Sequence, residues 1–227
     1  MKTSIRFVGF DLDNTLYDQA QYMLSFFRDV ADDLAPNHAK KREEIYASFV
    51  ETWEERTSYY PKLFDEALEK SGLFDEGLLK DLVVRFRNHR PTLTLFPGVQ
   101  EMLELLTKRF TLFMITDGHH TTQQTKIDVL HLAPYFQEIM MTGKYGKDWS
   151  KPSLLAYRMV LQNLGGLPGE YLYVGDNPRC DFFGAKTVGM QTVQVLTQPF
   201  CRESMIPDDH AADRTIRNIT ELKNILL

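Results

Sequence analysis

Two aspartates stand one residue apart, directly after a short apolar run. The run Ile5–Phe10 is long enough for a buried strand and too short for a helix. Because side chains alternate along an extended chain, Asp11 and Asp13 face the same way from the strand's carboxyl end. Two such carboxylates repel unless a cation or a shared proton relieves them, and Mg²⁺ prefers oxygen ligands of this kind. By itself, the segment 11–15 is equally compatible with a turn and a helix cap.

A second apolar run also ends in acidic residues. Tyr171–Val174 predicts a strand, Gly175 lets the backbone approach a ligand closely, and Asp176 follows, with Asp181 about one helical turn later. In open α/β sheets, ligands bind at the carboxyl ends of the strands. Two strands of one sheet that both end in acid pairs are difficult to explain as helix caps alone.

The chain between these two acid pairs offers groups that could bind an anion. Thr116–Gly118 follows an apolar strand and supplies a hydroxyl group and the free amides of a turn that enters a helix. Lys151 stands before Pro152 at the start of a predicted helix and could neutralise phosphate. Lys144 and Lys147 are close enough in the sequence to leave the choice of lysine open.

Strands and helices alternate after Pro97-Gly98. This order predicts parallel βαβ units with right-handed crossovers, and therefore an α/β core. The predicted strands are 110–115, 139–141, 171–174 and 191–196, and the predicted helices are 99–108, 120–130, 153–164, 181–188 and 220–227. The polar stretch 198–217 shows no clear pattern.

A helical segment interrupts this α/β pattern after the first strand. Apolar residues recur at helical spacing between residues 18 and 90, and Pro36-Asn37, Pro61 and Ser71-Gly72 divide the segment into about four helices. We therefore expect a helical domain of residues 18–90 inserted into an α/β domain of residues 1–17 and 91–227. Its aromatic residues are expected to form its own core.

The composition is typical of a cytoplasmic globular protein. The 227 residues carry a net charge of −5, with 43% hydrophobic and 25% charged residues. This charge provides no field for nucleic acid or for an anionic membrane. No apolar run is long enough to span a bilayer, and the N-terminal residues do not form a signal peptide. Cys180 and Cys201 favour packing roles in a reducing compartment.

Taken together, these motifs resemble the haloacid dehalogenase-like superfamily, particularly its phosphatases. The four segments that carry the resemblance occur in the family's order: Asp11-Leu12-Asp13-Asn14-Thr15, Thr116, Lys151-Pro152, and Gly175-Asp176 with Asp181. The segments Phe96-Pro97-Gly98-Val99 and Gly184-Ala185-Lys186 are also similar. The resemblance implies a Rossmann-like parallel sheet and identifies the helical insert as the family's C1 cap.

The resemblance also implies roles for the four aspartates. Asp11 would be the nucleophile that forms an aspartyl-phosphate, and Asp13 would protonate the leaving oxygen and then activate water. Mg²⁺ would be bound by Asp11, the main-chain carbonyl of Asp13, and Asp176. Asp181 would lie behind these ligands or bind through water.

The phosphoryl oxygens would be bound by Thr116 and Lys151, together with the turn Asp117-Gly118. Asp117 departs from the asparagine that often follows the family's threonine, which leaves the role of its side chain open. Residues near the cap hinges and helix tips are candidates to contact the leaving group: Tyr17, Tyr22, Arg28, His89, Arg90, His119 and His120. For each of them, packing or simple exposure is the competing expectation.

The leading hypothesis is a Mg²⁺-dependent phosphatase, either monomeric or homodimeric, that acts on a small phosphorylated metabolite. Dehalogenases and phosphonate-cleaving relatives lack the second aspartate, so Asp13 argues against both. A phosphomutase retains both acids and stays possible. The segment Phe10–Tyr17 also looks like the start of pyrimidine 5′-nucleotidases. A non-enzymatic scaffold protein is disfavoured because no catalytic position is missing.

Overall fold

The computed structural model describes residues 4–38, 41–56, 60–197 and 207–227, and the chain divides into two compact units. One unit combines Met1–Gln19 with Leu93–Leu227, and the other is Ala20–Thr92. The second unit begins and ends two residues later than the predicted insert of residues 18–90. The expected role of that insert as a cap stays a prediction.

The first unit is built on a six-stranded sheet in which all paired strands are parallel. The strands are β1 (Phe7–Phe10), β2 (Thr111–Thr116), β3 (Glu138–Met141), β4 (Tyr171–Gly175), β5 (Gln191–Val195) and β6 (Arg214–Ile216). Their spatial order is β3-β2-β1-β4-β5-β6. The helices of this unit are α5 (Val99–Leu106), α6 (His120–Val129), α7 (Leu154–Leu164), α8 (Phe182–Thr187) and α9 (Leu222–Leu226). The predicted α/β fold with a parallel sheet is confirmed.

The central strand β1 is buried along its whole length. It pairs with β2 on one side and with β4 on the other, which explains why its sequence is a continuous apolar run. Gly9 is required here because an added Cβ would lie 2.1 Å from the ring of Phe113. The sheet order reverses between β1 and β4, and a doubly wound sheet binds ligands at such a point.

Strand β6 was not predicted. It lies within the stretch 198–217, which shows no periodicity, and only Ile216 of its three residues is buried. Pairing with β5 stabilises β6, as expected for a short edge strand whose sequence pattern is weak. Residues 198–206 of the same stretch, including Cys201, are outside the described residues.

The second unit contains the four helices α1 (Ala20–Leu34), α2 (Arg42–Arg56), α3 (Leu63–Ser71) and α4 (Glu76–Asn88). Aromatic side chains pack edge to face inside it, with Phe26 5.1 Å from Phe86 between ring centroids. The Tyr22 hydroxyl donates to the carbonyl of Phe86 at 2.6 Å. The aromatic stripe therefore packs as the unit's own core, as its helical spacing predicts.

Within the described residues, no helix combines the length and the hydropathy needed to cross a lipid bilayer.

Candidate active site

Three of the predicted site residues follow or end neighbouring strands of the sheet. Asp11 comes after β1, Thr116 ends β2, and Asp176 comes after β4. The parallel register aligns these strand ends, since Phe10 pairs with both Met114 and Val174. The Asp11 amide continues this pattern by donating to the carbonyl of Val174 at 2.9 Å. All three side chains are buried. The aligned strand ends bring them to one edge of the sheet.

The segment after β1 folds back as a tight turn. The amide of Leu16 donates to the carbonyl of Leu12 at 3.0 Å, and Asn14 has a φ of 59°. Asparagine tolerates this left-handed conformation better than most residues. The Thr15 hydroxyl donates to Asp11 Oδ2 at 3.3 Å. The turn that the sequence suggested therefore does form, and it orients the first carboxylate.

A buried cluster of three carboxylates surrounds one lysine. Carboxylate oxygens of Asp11, Asp176 and Asp181 lie within 4.8 Å of one another. Lys151 Nζ donates to Asp11 Oδ1 at 2.5 Å and to Asp181 Oδ1 at 2.7 Å. The main-chain amide of Asn177 donates to Asp181 Oδ2 at 2.9 Å. We expected Asp181 to lie behind the metal ligands or to bind through water. Its carboxylate lies in the same group as those of Asp11 and Asp176, and its part in binding a metal stays a prediction.

Burial makes the ionised form of the carboxylates in this cluster less favourable. Burial raises the pKa of Asp11 to about 7, although Lys151 opposes the shift. Burial and the neighbouring charge of Asp181 raise the pKa of Asp176 well above its usual value. Burial alone would lower the pKa of Lys151, but Asp11 and Asp181 raise it well above its usual value. One ammonium group therefore does not offset the burial of these carboxylates.

The lysine of this cluster is Lys151, because Lys144 and Lys147 are both exposed. Its main chain is also anchored. The Lys151 amide donates to the Asp117 carboxylate at 3.1 Å, and the Thr142 hydroxyl donates to the same group at 2.7 Å. Asp117 therefore supports the loop that carries Lys151, which gives its side chain a role that the sequence left open.

Asp13 lies in a separate set of polar contacts. Its Oδ1 atom accepts from Lys126 Nζ at 2.6 Å and from the Tyr17 hydroxyl at 2.5 Å. Its Oδ2 atom accepts from Gln123 Nε2 at 2.9 Å. Burial alone would raise the pKa of Asp13, but Lys126, Tyr17 and Gln123 lower it below its usual value.

The motifs in the sequence do not indicate Lys126 and Gln123. Gln123 Nε2 also donates to the Thr116 hydroxyl, so it joins the first and second motifs. The available signal is the polar character of the face that α6 buries, which contains Thr122, Gln123, Thr125 and Lys126. An amphipathic helix on a sheet normally buries an apolar stripe.

Some of the candidate contact residues for the leaving group are buried, and the others are at least partly exposed. Tyr17 is buried in the α/β unit, while Tyr22 and His89 pack inside the helical unit. The rest are at least partly exposed: Arg28, Arg90, His119 and His120. Gly118, in the predicted phosphate-binding turn, is exposed and has a φ of 113°.

The family model for haloacid dehalogenase-like hydrolases matches residues 8–195. The chain belongs to this family. The matched range contains the acidic cluster, Lys151 and the contacts of Asp13.

Two curated relatives are phosphatases. A glyceraldehyde 3-phosphate phosphatase of Pyrococcus furiosus is 30% identical over 227 residues, which cover 98% of this chain and 93% of the relative. An N-acylneuraminate-9-phosphatase of Homo sapiens is 28% identical over 201 residues, covering 82% of this chain and 80% of the relative. The predicted assignment to the phosphatases of this family is confirmed.

A solved structure shares the fold but differs in its named activity. The 2-haloacid dehalogenase from Pseudomonas syringae is 27% identical, covers 98% of each chain and has a TM-score of 0.64. The surroundings of Asp13 therefore bear directly on which reaction this site supports.

Proposed function

We propose that the protein is a Mg²⁺-dependent phosphatase that hydrolyses a small phosphorylated metabolite through an aspartyl-phosphate intermediate. The observation that carries this proposal is the different environment of the two aspartates after β1. Asp11 belongs to the acidic cluster with Lys151, whereas Asp13 is bound by Lys126 and Gln123. One carboxylate is therefore available as a nucleophile beside a cation, and the other is available for proton transfer.

The acidic cluster has the chemistry of a magnesium site. Its three carboxylates are buried, mutually close and paired with one lysine. A hard divalent cation would offset the burial, and with it the mutual repulsion, that raise the pKa of Asp11 and Asp176. Asp11, Asp176 and the main-chain carbonyl of Asp13 would bind the ion, with Asp181 binding directly or through water. When bound, Mg²⁺ would neutralise phosphate charge and polarise the phosphoryl group.

The remaining chemistry belongs to residues of this chain. An Asp11 oxygen attacks phosphorus, and the bond from phosphorus to the ester oxygen breaks. The contacts of Asp13 favour its ionised form, so Asp13 must first take up a proton from water. It then gives this proton to the ester oxygen, which leaves as an alcohol. Asp13 then accepts a proton from water as the water attacks the aspartyl-phosphate, which releases phosphate and restores the Asp11 carboxylate.

Thr116 and Lys151 would bind the transferred phosphoryl group. The hydroxyl group of Thr116 and the ammonium group of Lys151 are both buried at the edge of the sheet where Asp11 lies. Donors fixed in this way stabilise the charge that spreads over the phosphoryl oxygens in the transition state, and they do so without reorganising.

The relatives and the contacts of Asp13 support a proposal for the substrate class. The named relatives act on phosphorylated carbohydrate compounds, glyceraldehyde 3-phosphate and N-acylneuraminate 9-phosphate. We infer a primary phosphate ester of a small polyol or sugar acid as the substrate. A halide leaves without a proton, so a dehalogenase would have no use for a carboxylate bound as Asp13 is. The experiment below distinguishes this function from those of a pyrimidine nucleotidase and a phosphomutase.

The test measures phosphate release by the full chain with Mg²⁺ and with a chelator. The substrates are glyceraldehyde 3-phosphate, N-acylneuraminate 9-phosphate, uridine 5′-monophosphate, phosphoserine and a hexose phosphate, with 2-chloropropionate as the dehalogenase substrate. We expect Mg²⁺-dependent release from one or two of the esters. Asp11→Asn should reduce this release at least about 10⁴-fold, because the nucleophile is removed.

Asp148→Asn is the matched control, since Asp148 is an exposed acid of the same unit. Its activity should equal that of the parent. Thermal melting with and without Mg²⁺ provides a readout independent of turnover, and Asp176→Asn should remove the stabilisation by Mg²⁺. Equal activity of Asp11→Asn and the parent would overturn the proposed nucleophile. Preferential turnover of uridine 5′-monophosphate would favour a nucleotidase, and isomerisation without phosphate release would favour a mutase.

A further inference from the structure

Helix α6 buries a polar face. Thr122, Gln123, Thr125 and Lys126 are all buried there, and the side chain of Lys126 is only 4% exposed. Removing an ammonium group from water costs several kcal/mol, so a buried lysine needs a strong compensating contact. An apolar residue of similar volume would serve packing at lower cost. A position that carries lysine under these conditions is a candidate for a role in the reaction.

Lys126 has such a contact with Asp13. Lys126 Nζ lies 2.6 Å from Asp13 Oδ1, although the two residues are 113 positions apart in the chain. Gln123 precedes Lys126 by three positions, which places both side chains on one face of the helix. Gln123 Nε2 donates to the other Asp13 oxygen at 2.9 Å. Both oxygens of the carboxyl group are therefore held from one helix.

Gln123 has a second partner. The same Nε2 atom donates to the Thr116 hydroxyl, which ends β2. One side-chain amide thus joins the aspartate that follows β1 to the threonine at the end of β2. This arrangement fixes the distance between a group suited to proton transfer and a group suited to binding phosphate.

We propose that Lys126 and Gln123 are positioning residues that hold the Asp13 carboxyl group in one orientation, apart from the acidic cluster and in register with Thr116. This inference rests on the proposed function, in which Asp13 protonates the leaving oxygen. A proton donor displaced by about 1 Å from its productive position can cost about 10²-fold in rate. The two residues act through Asp13, and their effect therefore depends on how much the reaction needs a proton donor.

The test uses the dependence of the rate on the leaving group. We compare kcat/KM of the parent and of Lys126→Met for 4-nitrophenyl phosphate, phenyl phosphate and an alkyl phosphate. Nitrophenolate leaves readily without a proton, whereas an alkoxide does not. We expect Lys126→Met to lower kcat/KM about 10- to 100-fold for the alkyl phosphate and less than about threefold for the nitrophenyl ester. Gln123→Met should also lower kcat/KM more for the alkyl phosphate than for the nitrophenyl ester.

Gln124→Met is the matched control, because Gln124 lies on α6 with its side chain exposed. It should behave as the parent with every ester. A loss of equal size for all three esters in Lys126→Met would overturn the inference, because general damage to the fold does not depend on the leaving group.

A double variant keeps the inference testable if Lys126→Met fails to fold. Asp13→Asn and Asp13→Asn/Lys126→Met are compared, since removing both partners leaves no unpaired buried charge. Equal kcat/KM values in these two variants would support the inference, and a further loss in the double variant would overturn it. Turnover by the Asp11→Asn variant at the rate of the parent would instead overturn the proposed function. The two failures are therefore distinguishable.

Discussion

Both units have ion pairs at the surface, such as Arg6 with Glu170 in the α/β unit, but they differ in the charge that their interiors hold. In the α/β unit, the ion pairs of Lys126 and Lys151 are buried, with lysine side chains only 4% exposed. In the helical unit, the described pair between Arg56 and Glu66 lies at the surface, with side chains 49% and 20% exposed. The interior of that unit is aromatic instead, as the packing of Phe26 against Phe86 shows.

We propose that this difference separates charge that takes part in the reaction from charge that only keeps the surface polar. Exposed ion pairs are screened by water and contribute little to stability. Buried charges cost desolvation energy and are strongly coupled to their partners, so a fold gains little stability from keeping them. We infer that the buried lysines of the α/β unit are kept for the reaction, whereas the arginines of the helical unit maintain its surface.

Among the changes that compare the two units, the largest effect is expected for Lys151→Met. This change leaves Asp11 and Asp181 without their ammonium partner in a buried site. Breaking a buried ion pair costs about 3–5 kcal/mol, and losing a donor to the transition state costs about 10²–10³ in rate. Urea unfolding and phosphate release measure the two effects. A variant as stable and as active as the parent would show that the buried charge of this unit is dispensable.

An intermediate effect is expected from His89, the partly buried titratable group of the helical unit. Burial lowers its pKa below 6.5, with Asp29 opposing this shift and Arg85 adding to it. The folded state therefore favours the neutral imidazole. Its contribution to stability is complete above the unfolded pKa of about 6.5 and is lost as the pH falls toward the lowered folded pKa.

The measurement compares urea midpoints at pH 8 and pH 5.5 in the parent and in His89→Leu. The parent should lose more stability than the variant at the lower pH, and amide hydrogen exchange should locate the difference in α1 and α4. Identical losses in the two proteins would mean that His89 is not held in its neutral form.

The smallest effect is expected for Arg56→Met, which removes an exposed ion pair with Glu66 and is the surface counterpart of Lys151→Met. Because water screens this pair, the urea midpoint should not change beyond experimental error. Phosphate release should also be unchanged. A loss of stability comparable to that of Lys151→Met would remove the distinction between the two units.

The sequence predicted best where one local pattern decides the structure. The apolar runs before Asp11 and Asp176 do form neighbouring parallel strands, because fully buried strands need continuous apolar side chains. The four helices of the second unit follow from helical periodicity and from Pro and Gly breaks. Strand β6 could not be predicted, since its pairing with β5 and not its own composition stabilises it.

Choices between similar residues depended on long-range contacts. The sequence alone does not distinguish between three nearby lysines, Lys144, Lys147 and Lys151. In the structure, only Lys151 of these three is buried beside Asp11. Lys126 and Gln123 were overlooked because their partner Asp13 lies more than 100 residues earlier in the chain. α6 has no apolar stripe, so helical spacing indicates neither which of its faces is buried nor what that face contacts.

The sequence alone therefore determined the types of chemical group at the strand ends, the family resemblance and the insertion of a helical segment, because these depend on local order along the chain. Only the tertiary structure decided that Asp181 joins Asp11 and Asp176, that Asp117 anchors Lys151, and that Asp13 is held from α6. The physical reason is that burial and charge pairing arise when distant segments meet, and no local pattern records them.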